Sequence, residues 1–256
     1  MNKKRPFNPK KEVEKIISFI RKYYKDNHLK GVVLGISGGK DSAVVAGLFT
    51  LALGKENVVG LTLPCHSKPQ DAKDAKKVAD YFGFELKNID LTSTYDSFIK
   101  EASKLKIMDL SVSTDEFNVN LKPRLRMATC YYMAALLSKE RKGTYLVAGT
   151  SNACELYVGY FTKGGDSVHD ISVLANLTVD EVIKIGEEIG VPDCVIHKAP
   201  SDGLSNKTDE EKMGIKYKDV ASIIRKKKVS KVVKEKIEKK HKNNAHKFKI
   251  PTYKPL

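Results

Sequence analysis

The chain has 256 residues, a hydrophobic fraction of 41% and a formal net charge of +15. This length can bury one sizeable core, so we expect a single domain over residues 1–256. No apolar run approaches the roughly 18 residues of a membrane span, and no apolar segment follows the basic start as in a secretory signal. The four cysteines form no Cys-x-x-Cys pair, which argues against a zinc ribbon or disulfide framework and favours a reducing cytoplasm.

Most of the excess positive charge lies in a C-terminal segment. Residues 225–249 carry twelve Lys or Arg against Glu235 and Glu238, a local balance of +10. Such a run is typical of a solvated helix face and tail, and it would also suit an arm that binds a polyanion. The net charge alone therefore does not make nucleic acid an expected partner.

Apolar periodicity predicts strands that alternate with helices. Helices are predicted at residues 12–24, 42–53, 70–82, 92–104, 120–139, 178–189, 209–214, 218–227 and 229–239, and strands at 32–36, 57–63, 84–89 and 144–148. Residues 105–117, 159–172 and 198–208 read as irregular segments. This alternation predicts an α/β fold with a Rossmann-like, mainly parallel sheet that has helices on both faces.

The turn between the first predicted strand and helix has the chemistry of an anion site. Ser37-Gly38-Gly39 lacks bulky side chains, and Lys40, Asp41 and Ser42 follow at the helix entrance. Such a turn lets backbone N–H groups converge on an anion, and the helix N-terminus adds partial positive charge. The spacing fits neither a Walker A loop nor a Rossmann fingerprint. An ordinary turn that uses glycine for close packing is the alternative.

The motif Ser-Gly-Gly-x-Asp-Ser after a strand resembles the signature of the ATP pyrophosphatases, or PP-loop enzymes. These enzymes cleave ATP between its α- and β-phosphates and hold the departing pyrophosphate in this loop. The resemblance implies an ATP site that contains Gly35, Ile36, Ser37, Gly38, Gly39, Lys40, Asp41 and Ser42.

Further segments resemble one family of these enzymes, the NAD synthetases. The matching segments, in the family's order, are residues 120–127, 149–155, 159–166, 198–204, 208–214 and the pair His246-Lys247. The resemblance runs from about residue 10 to 251. It implies a PP-loop ATP-binding core at about residues 10–200 and a mobile loop, C-terminal helices and basic tail at about residues 200–256.

The resemblance implies an activity and its participants. The family converts nicotinic acid adenine dinucleotide (deamido-NAD) to NAD: ATP transfers AMP to the nicotinate carboxylate, pyrophosphate leaves, and ammonia then displaces AMP. ATP would be a co-substrate, Mg²⁺ the cofactor, and the protein a homodimer with the dinucleotide near the subunit boundary. The core begins at about residue 10, without a glutaminase domain before it, so we expect ammonia to be the direct nitrogen donor.

The resemblance also assigns residues to these tasks. Asp41 and Glu155 would hold Mg²⁺, and with Lys163 they are the predicted catalytic residues; Thr150 and Ser201 would contact ATP. The predicted contacts to deamido-NAD are Arg124, Lys163, Asp170, His246 and Lys247. Without the resemblance, the two acidic residues would read as ordinary helix-start residues, and the basic ones as surface residues.

Two departures from the family's pattern affect these assignments. Val179 stands where the family has a lysine that contacts ATP, and Lys184 or Lys40 could supply the missing charge. Residues 205–207 replace a more typical Trp-Pro-Gly-Gln in the mobile loop.

Two other functions are consistent with part of the sequence pattern. A tRNA-modifying PP-loop adenylating enzyme would have the same loop, and a basic tail would suit its polyanionic substrate. The absence of a Cys-x-x-Cys pair and of residues for further RNA-binding domains argues against it. A non-catalytic nucleotide-binding module would not need the carboxylates of Asp41 and Glu155.

Overall fold

The computed structural model describes residues 7–105, 118–198 and 208–254. The strands in these ranges are β1 (Leu29–Gly35), β2 (Val58–Thr62), β3 (Glu85–Asn88), β4 (Thr144–Gly149) and β5 (Ile171–Ser172). The helices are α1 (Pro9–Asp26), α2 (Lys40–Leu53), α3 (Pro69–Phe82), α4 (Thr92–Ser103), α5 (Leu121–Glu140), α6 (Ala153–Val158), α7 (Val179–Glu188), α8 (Asp193–Ile196), α9 (Asp209–Met213), α10 (Tyr217–Ile224) and α11 (Lys231–Asn243). Every helix among these residues is too short or too polar to cross a lipid bilayer.

The five strands form one parallel sheet in the order β3-β2-β1-β4-β5. Val32 of β1 lies opposite Val58 of β2, and Val33 lies opposite Val147 of β4. The chain first builds the sheet outward from β1 through β2 to β3, and then returns to add β4 on the other side. In an open parallel sheet, the crevice at the carboxyl ends of the strands where the order reverses is the usual ligand site. Here that point lies between β1 and β4.

β1 is buried on both of its faces, which places the reversal point at the centre of the molecule. Val32 and Leu34 belong to a core that α1, α2, α3 and α7 cover, whereas Val33 belongs to a second core against α5. Successive side chains of a strand point to opposite faces, so one apolar run can supply both cores. Helices therefore cover both faces of the sheet, which confirms the predicted fold class.

The sequence pattern located the long elements and the short helix α9, predicted at residues 209–214, but missed two other short elements. β5 and α8 are not predicted, because two residues of strand and one turn of helix carry no detectable periodicity. The prediction of a loop throughout residues 159–172 is thus wrong for the last two. The predicted helix at residues 218–227 ends at Ile224, and the one at 229–239 begins at Lys231 and continues to Asn243. The irregular segments at 105–117 and 198–208 lie almost wholly outside the described residues.

Candidate active site

Hydroxyl groups hold the loop between β1 and α2. Ser42 Oγ donates to the carbonyl oxygen of Gly39 at 3.0 Å and accepts the backbone N–H of Ser37 at 3.3 Å. The backbone N–H of Gly39 donates to Ser37 Oγ at 3.2 Å. Gly39 is the N-cap of α2, and it has no side chain to cap the N–H groups of the first turn. The positive end of α2 is therefore left for an anion, as the sequence predicts for this loop.

Gly38 meets two demands that only glycine satisfies. Its φ of +75° lies in the left-handed region, and a Cβ there would overlap the carbonyl oxygen of Asp71 in the first turn of α3. The loop therefore packs directly against α3.

Lys40 is buried beside the carboxylate that follows it. The side chain is almost entirely inaccessible, and its Nζ lies 3.0 Å from Asp41 Oδ2. Burial lowers the pKa of Lys40, but the carboxylates of Asp41 and Glu155 outweigh this effect, and the net pKa is raised. Lys40 is thus a charged ammonium that lies among carboxylates.

Asn152 joins the two predicted metal carboxylates across the reversal point. It is the N-cap of α6, and its backbone N–H donates to Glu155 Oε2 at 3.0 Å in a capping box. Its side-chain Nδ2 donates to Asp41 Oδ1 at 3.2 Å. The residue is fully buried. One asparagine therefore fixes a carboxylate at the end of β4 and another at the start of α2.

Glu155 is in an environment with an excess of negative charge. It is partly accessible to solvent but closely surrounded by protein, and its pKa is raised well above the ordinary value. Burial is the main cause and the charge of Asp41 the second, while Lys40 offsets part of the effect. Two carboxylates that one ammonium only partly neutralises are compatible with the predicted Mg²⁺ site.

Asp209 and Tyr217 extend this acidic cluster, and the sequence analysis did not identify either. The buried Asp209 at the start of α9 accepts a hydrogen bond from Tyr160 at 3.2 Å, and its charge contributes to the raised pKa of Glu155. The buried hydroxyl of Tyr217 has no hydrogen-bond partner in the described parts of the chain. Burial and the charges of Glu155 and Asp209 raise its pKa.

The remaining predicted ATP contacts are divided between described and undescribed residues. Thr150 directly follows β4 and is partly exposed. Ser201, like residues 205–207, lies outside the described residues. Val179 begins α7, and its side chain is buried in a core with Cys154 and Val158.

The two lysines considered as replacements for the missing ATP contact differ in location. Lys184 lies on the exposed side of α7, whereas Lys40 lies within the anion loop itself. This placement favours Lys40 as the source of the charge.

Four of the predicted deamido-NAD contacts form one group, which we call the outer basic cluster: Arg124, Lys163, His246 and Lys247. Lys163 Nζ donates to the carbonyl oxygen of His246 at 3.0 Å, and the guanidinium of Arg124 donates to the carbonyl oxygen of Lys163 at 3.2 and 3.3 Å. Lys247 Nζ donates to the carbonyl oxygens of Gly159 and Phe161 at 2.7 and 2.8 Å. The C-terminal segment and the loop after α6 are therefore joined by cations.

Asp170 has structural partners for both of its carboxylate oxygens. Oδ1 accepts the hydroxyl of Tyr131 at 2.9 Å, and Oδ2 accepts the backbone N–H of Val147 at 2.8 Å. These bonds attach β5 and α5 to β4. A contact between Asp170 and a substrate stays a prediction.

Lys198 contacts the anion loop, although the sequence analysis assigned it no role. Its Nζ donates to Asp71 Oδ1 at 2.9 Å, to Asp74 Oδ2 at 3.0 Å and to the carbonyl oxygen of Gly38 at 3.5 Å. The only sequence signal is that Lys198 opens a segment that resembles the family's mobile loop.

Comparison with known proteins gives one family. The family model described as NAD synthase matches residues 12–251. The NH(3)-dependent NAD(+) synthetase of Carboxydothermus hydrogenoformans is 36% identical over 248 residues, which are 95% of this chain and 97% of the relative. The enzyme of the same name from Methanocaldococcus jannaschii is 42% identical over 219 residues, or 83% of this chain and 79% of the relative.

Solved structures agree in fold. An NMN synthetase from Francisella tularensis has a TM-score of 0.87 and 32% identity, with 98% of this chain and 100% of that chain covered. An NH3-dependent NAD synthetase from Campylobacter jejuni has a TM-score of 0.74 and 29% identity, with 97% and 100% covered. These similarities extend over the whole of both structures and are not limited to a shared nucleotide-binding core.

Proposed function

The chain belongs to the NAD synthase family, and we propose that the site at the ends of β1 and β4 carries out the family's reaction. In that reaction ammonia and deamido-NAD form NAD, and ATP is converted to AMP and pyrophosphate. The observation that carries the proposal is the juxtaposition of an uncapped helix start with two carboxylates that share Asn152. An anion site beside a cation site is what a metal-bound triphosphate requires.

The chemistry needs ATP because a free carboxylate is a poor electrophile. Attack of the nicotinate oxygen on the α-phosphorus forms the adenylate and releases pyrophosphate; attack of ammonia on the acyl carbon then forms the amide and releases AMP. The N–H groups of the anion loop and the ammonium of Lys40 would hold the β- and γ-phosphates as pyrophosphate leaves. Thr150 and Ser201 are proposed as further ATP contacts.

Asp41 and Glu155 are proposed to hold Mg²⁺, because Asn152 holds both carboxylates in place by hydrogen bonds and Lys40 neutralises them only in part. Within the described ranges, no three His, Cys, Asp or Glu side chains are grouped as a metal site. This is compatible with Mg²⁺, which is commonly bound by one or two carboxylates, with water and phosphate oxygens as its other ligands. The ion would neutralise charge on the phosphates as the α-phosphorus is attacked.

The outer basic cluster is proposed to bind the pyrophosphate and carboxylate groups of deamido-NAD, and Asp170 is proposed as a further contact to this substrate. Lys163 and His246 are exposed and Lys247 is half-buried, and both lysines donate to backbone carbonyls. These carbonyl bonds can be exchanged for stronger charge-assisted bonds to a phosphate. Substrate binding would thereby replace direct bonds between the loop after α6 and the C-terminal segment by bonds to a shared phosphate.

The test is formation of AMP and NAD from deamido-NAD, Mg-ATP and ammonium, with Asp41→Ala and Asp180→Ala compared. Both aspartates are the second residue of a helix, but Asp180 is exposed at the start of α7. We expect equal amounts of both products, lost in the first variant only. ATP cleavage that depends on tRNA and not on deamido-NAD would instead support the tRNA-modifying alternative. Turnover of glutamine without free ammonia would contradict ammonia as the direct donor.

One structural neighbour supports a second candidate substrate. The Francisella tularensis protein with the TM-score of 0.87 is described as an NMN synthetase, whose amidated product is a mononucleotide. The same residues could amidate nicotinic acid mononucleotide, because the reacting carboxylate is identical. Comparison of kcat/KM for the mononucleotide and the dinucleotide decides between them, and we expect the dinucleotide to be preferred. A Lys163→Ala change should raise the KM for the preferred substrate about tenfold and leave the KM for ATP unchanged.

A homodimer is also proposed, and an exposed stripe on α5 supports it. Arg124, Ala128, Tyr132 and Leu136 follow one another at intervals of four residues and are all exposed, Tyr132 by 65% and Leu136 by 44%. Because Arg124 belongs to the outer basic cluster, burial of this stripe would place the dinucleotide near the subunit boundary. Leu136→Asp should yield a monomer in light scattering and raise the KM for deamido-NAD. A wild-type monomer under assay conditions would contradict the proposal.

The state of the cysteines supports a cytoplasmic location. All four are free, and only Cys194 is exposed. Burial raises the pKa of Cys130 to about 11 and of Cys154 to about 12, so these thiols stay protonated and unreactive at neutral pH. In a reducing compartment cysteines are kept as free thiols, which agrees with this state.

A further inference from the structure

Lys198 is held in place by two carboxylates beside the anion loop. Its ammonium lies between Asp71 and Asp74 of α3, at 2.9 and 3.0 Å from their oxygens, and Asp74 is buried. Burial lowers the pKa of Lys198, but the hydrogen bonds to the two aspartates outweigh this effect and raise it. The side chain is thus a fixed cation at neutral pH, with 30% of its surface exposed.

The third bond of this ammonium reaches the peptide group between Gly38 and Gly39. Lys198 Nζ lies 3.5 Å from the carbonyl oxygen of Gly38, while the N–H of Gly39 donates to Ser37 Oγ at 3.2 Å. A trans peptide is planar, and its C=O and N–H point in opposite directions. A cation that holds the carbonyl on the side of α3 therefore also fixes the N–H on the opposite side, towards the loop hydroxyls.

This peptide needs such a restraint because glycine lies on both sides of it. Glycine occupies positive and negative φ with similar ease, so rotation of the Gly38–Gly39 peptide has little steric cost. A rotated peptide would present its carbonyl oxygen to the phosphates where the N–H now points. An oxygen dipole there would repel the anion that the loop binds.

We propose that Lys198 is a positioning residue for the phosphates of ATP: it holds the carbonyl of the Gly38–Gly39 peptide towards α3, so that this oxygen does not face the departing pyrophosphate. This inference rests on the proposed function only in identifying the anion as a polyphosphate. Lys198 acts here through the peptide, while Asp71 and Asp74 set the position of its ammonium.

The chain supplies a matched control in Lys77. Lys77 Nζ pairs with the same Asp74 at 3.3 Å, from its other oxygen, and is more exposed, at 50%. No bond from Lys77 to Gly38 is observed among the described residues. Replacement of either lysine by methionine therefore removes one cation from Asp74, but only Lys198→Met releases the loop peptide.

The first measurement is binding of inorganic pyrophosphate with Mg²⁺ by titration calorimetry, together with the KM values for ATP and deamido-NAD. Lys198→Met should weaken pyrophosphate binding and raise the KM for ATP about tenfold, with the KM for deamido-NAD within about twofold. Lys77→Met should leave all three within about twofold. Pyrophosphate affinity within twofold of wild type in Lys198→Met overturns the proposal, as does an equal loss in both variants.

The second measurement separates action through the peptide from direct contact with phosphate. In ligand-free protein labelled with ¹⁵N, the amide resonance of Gly39 should shift in Lys198→Met and stay in place in Lys77→Met. Weaker pyrophosphate binding with an unmoved Gly39 resonance would mean that the ammonium touches phosphate itself, which contradicts the proposal. Lys198→Arg, which keeps the charge, should restore most of the affinity.

Two controls address misfolding of Lys198→Met and failure of the proposed function. If Lys198→Met does not fold, the carboxylate that it leaves unpaired can be removed by adding Asp74→Asn. The double variant is then compared with Asp74→Asn alone, and the same results support or overturn the proposal. Pyrophosphate binding does not require deamido-NAD. A wild-type protein that binds pyrophosphate but forms no NAD would therefore refute the proposed function and leave the role of Lys198 to be judged by the titrations.

Discussion

Two helices of this protein start with the same local motif and put it to different use. In α6 the side chain of Glu155 accepts the N–H of Asn152, and in α7 the side chain of Glu181 accepts the N–H of Thr178, at 3.0 and 2.9 Å. Both are capping boxes, in which the third helical residue satisfies the N–H of the cap. The local structure of the two glutamates is therefore nearly the same.

Their long-range partners differ in sign. Arg225 pairs with both carboxylate oxygens of Glu181. Burial raises the pKa of Glu181, but Arg225 and the bond from Thr178 outweigh it, and the net pKa is lowered. Glu155 instead lies near Asp41, and its pKa is raised. The pairing of Glu181 with Arg225 is a structural ion pair, whereas the environment of Glu155 is compatible with the proposed Mg²⁺ site.

The largest expected effect separates the two glutamates by activity. Glu155→Gln should lower kcat/KM about a thousandfold or more, because the amide cannot replace a carboxylate that balances Mg²⁺. Glutamine can still accept the N–H of Asn152, so α6 should keep its start. Glu181→Gln is the control, and its kcat/KM should stay within about twofold. Equal losses of kcat/KM in the two variants would contradict the proposed difference between the two glutamates.

The response to metal is the next largest difference. Millimolar Mg²⁺ should raise the Tm of the wild type by about 3–8 °C, as expected for a ligand that binds only the folded state. The same shift should persist in Glu181→Gln and disappear in Glu155→Gln. Differential scanning fluorimetry with and without EDTA measures all three. A full shift in Glu155→Gln would remove that residue from the metal site.

In the absence of metal, Glu181→Gln should destabilise the fold more than Glu155→Gln, which is the reverse of their effects on activity. Glu181→Gln should lower the free energy of unfolding by about 1–3 kcal/mol, because Arg225 loses a charged partner. Glu155→Gln should leave it unchanged or raise it, because a buried and unbalanced charge is removed. Urea unfolding in EDTA measures both. The idea fails if Glu155→Gln is the more destabilising change.

The smallest expected effect is a dependence on pH. Because the pKa of Glu181 is lowered in the folded protein, its contribution is fully present above the unfolded value of about 4.3 and is lost as pH falls through the folded value. The difference in unfolding free energy between wild type and Glu181→Gln should therefore be constant from pH 6 to 8 and shrink as the pH falls below the unfolded value. Urea midpoints measured across this range would show it. A difference that persists in acid would indicate a packing effect.

The same comparison explains how far the sequence could be interpreted. Local features could be predicted from the sequence: the strand, turn and helix around Gly38, and the spacing of Asn152 and Glu155 that is typical of a helix start. The partner of Glu181 was not predicted, because Arg225 is 44 residues away. The proximity of Asp41 to Asn152 and Glu155, across 111 residues, was implied by the family resemblance and not by local pattern. The sheet order brings Asp41 to Asn152, and the packing of α10 against α7 brings Arg225 to Glu181. Periodicity specifies neither arrangement.

Other parts of the site were hidden for related reasons. No local pattern near Asp209 indicates that its charge influences Lys40 and Glu155, which are more than fifty residues away in the sequence. The role of Lys198 depends on where α3 begins relative to Gly38. The family resemblance assigned Arg124, Lys163, His246 and Lys247 to one substrate, and the structure brings them together. It did not indicate that Arg124, Lys163 and Lys247 donate to backbone carbonyls.

The hydrogen bond from Asn152 to Asp41, across 111 residues, has a consequence for how the protein acquires activity after synthesis. Pairing of β1 with β2 closes a short loop, whereas pairing of β1 with β4 closes a long one, which is the slower kind of step. An intermediate with only the first three strands would contain the anion loop without Glu155. During refolding, pyrophosphate binding that requires Mg²⁺ should therefore appear later than the helical circular dichroism signal, and its rate would report the arrival of β4.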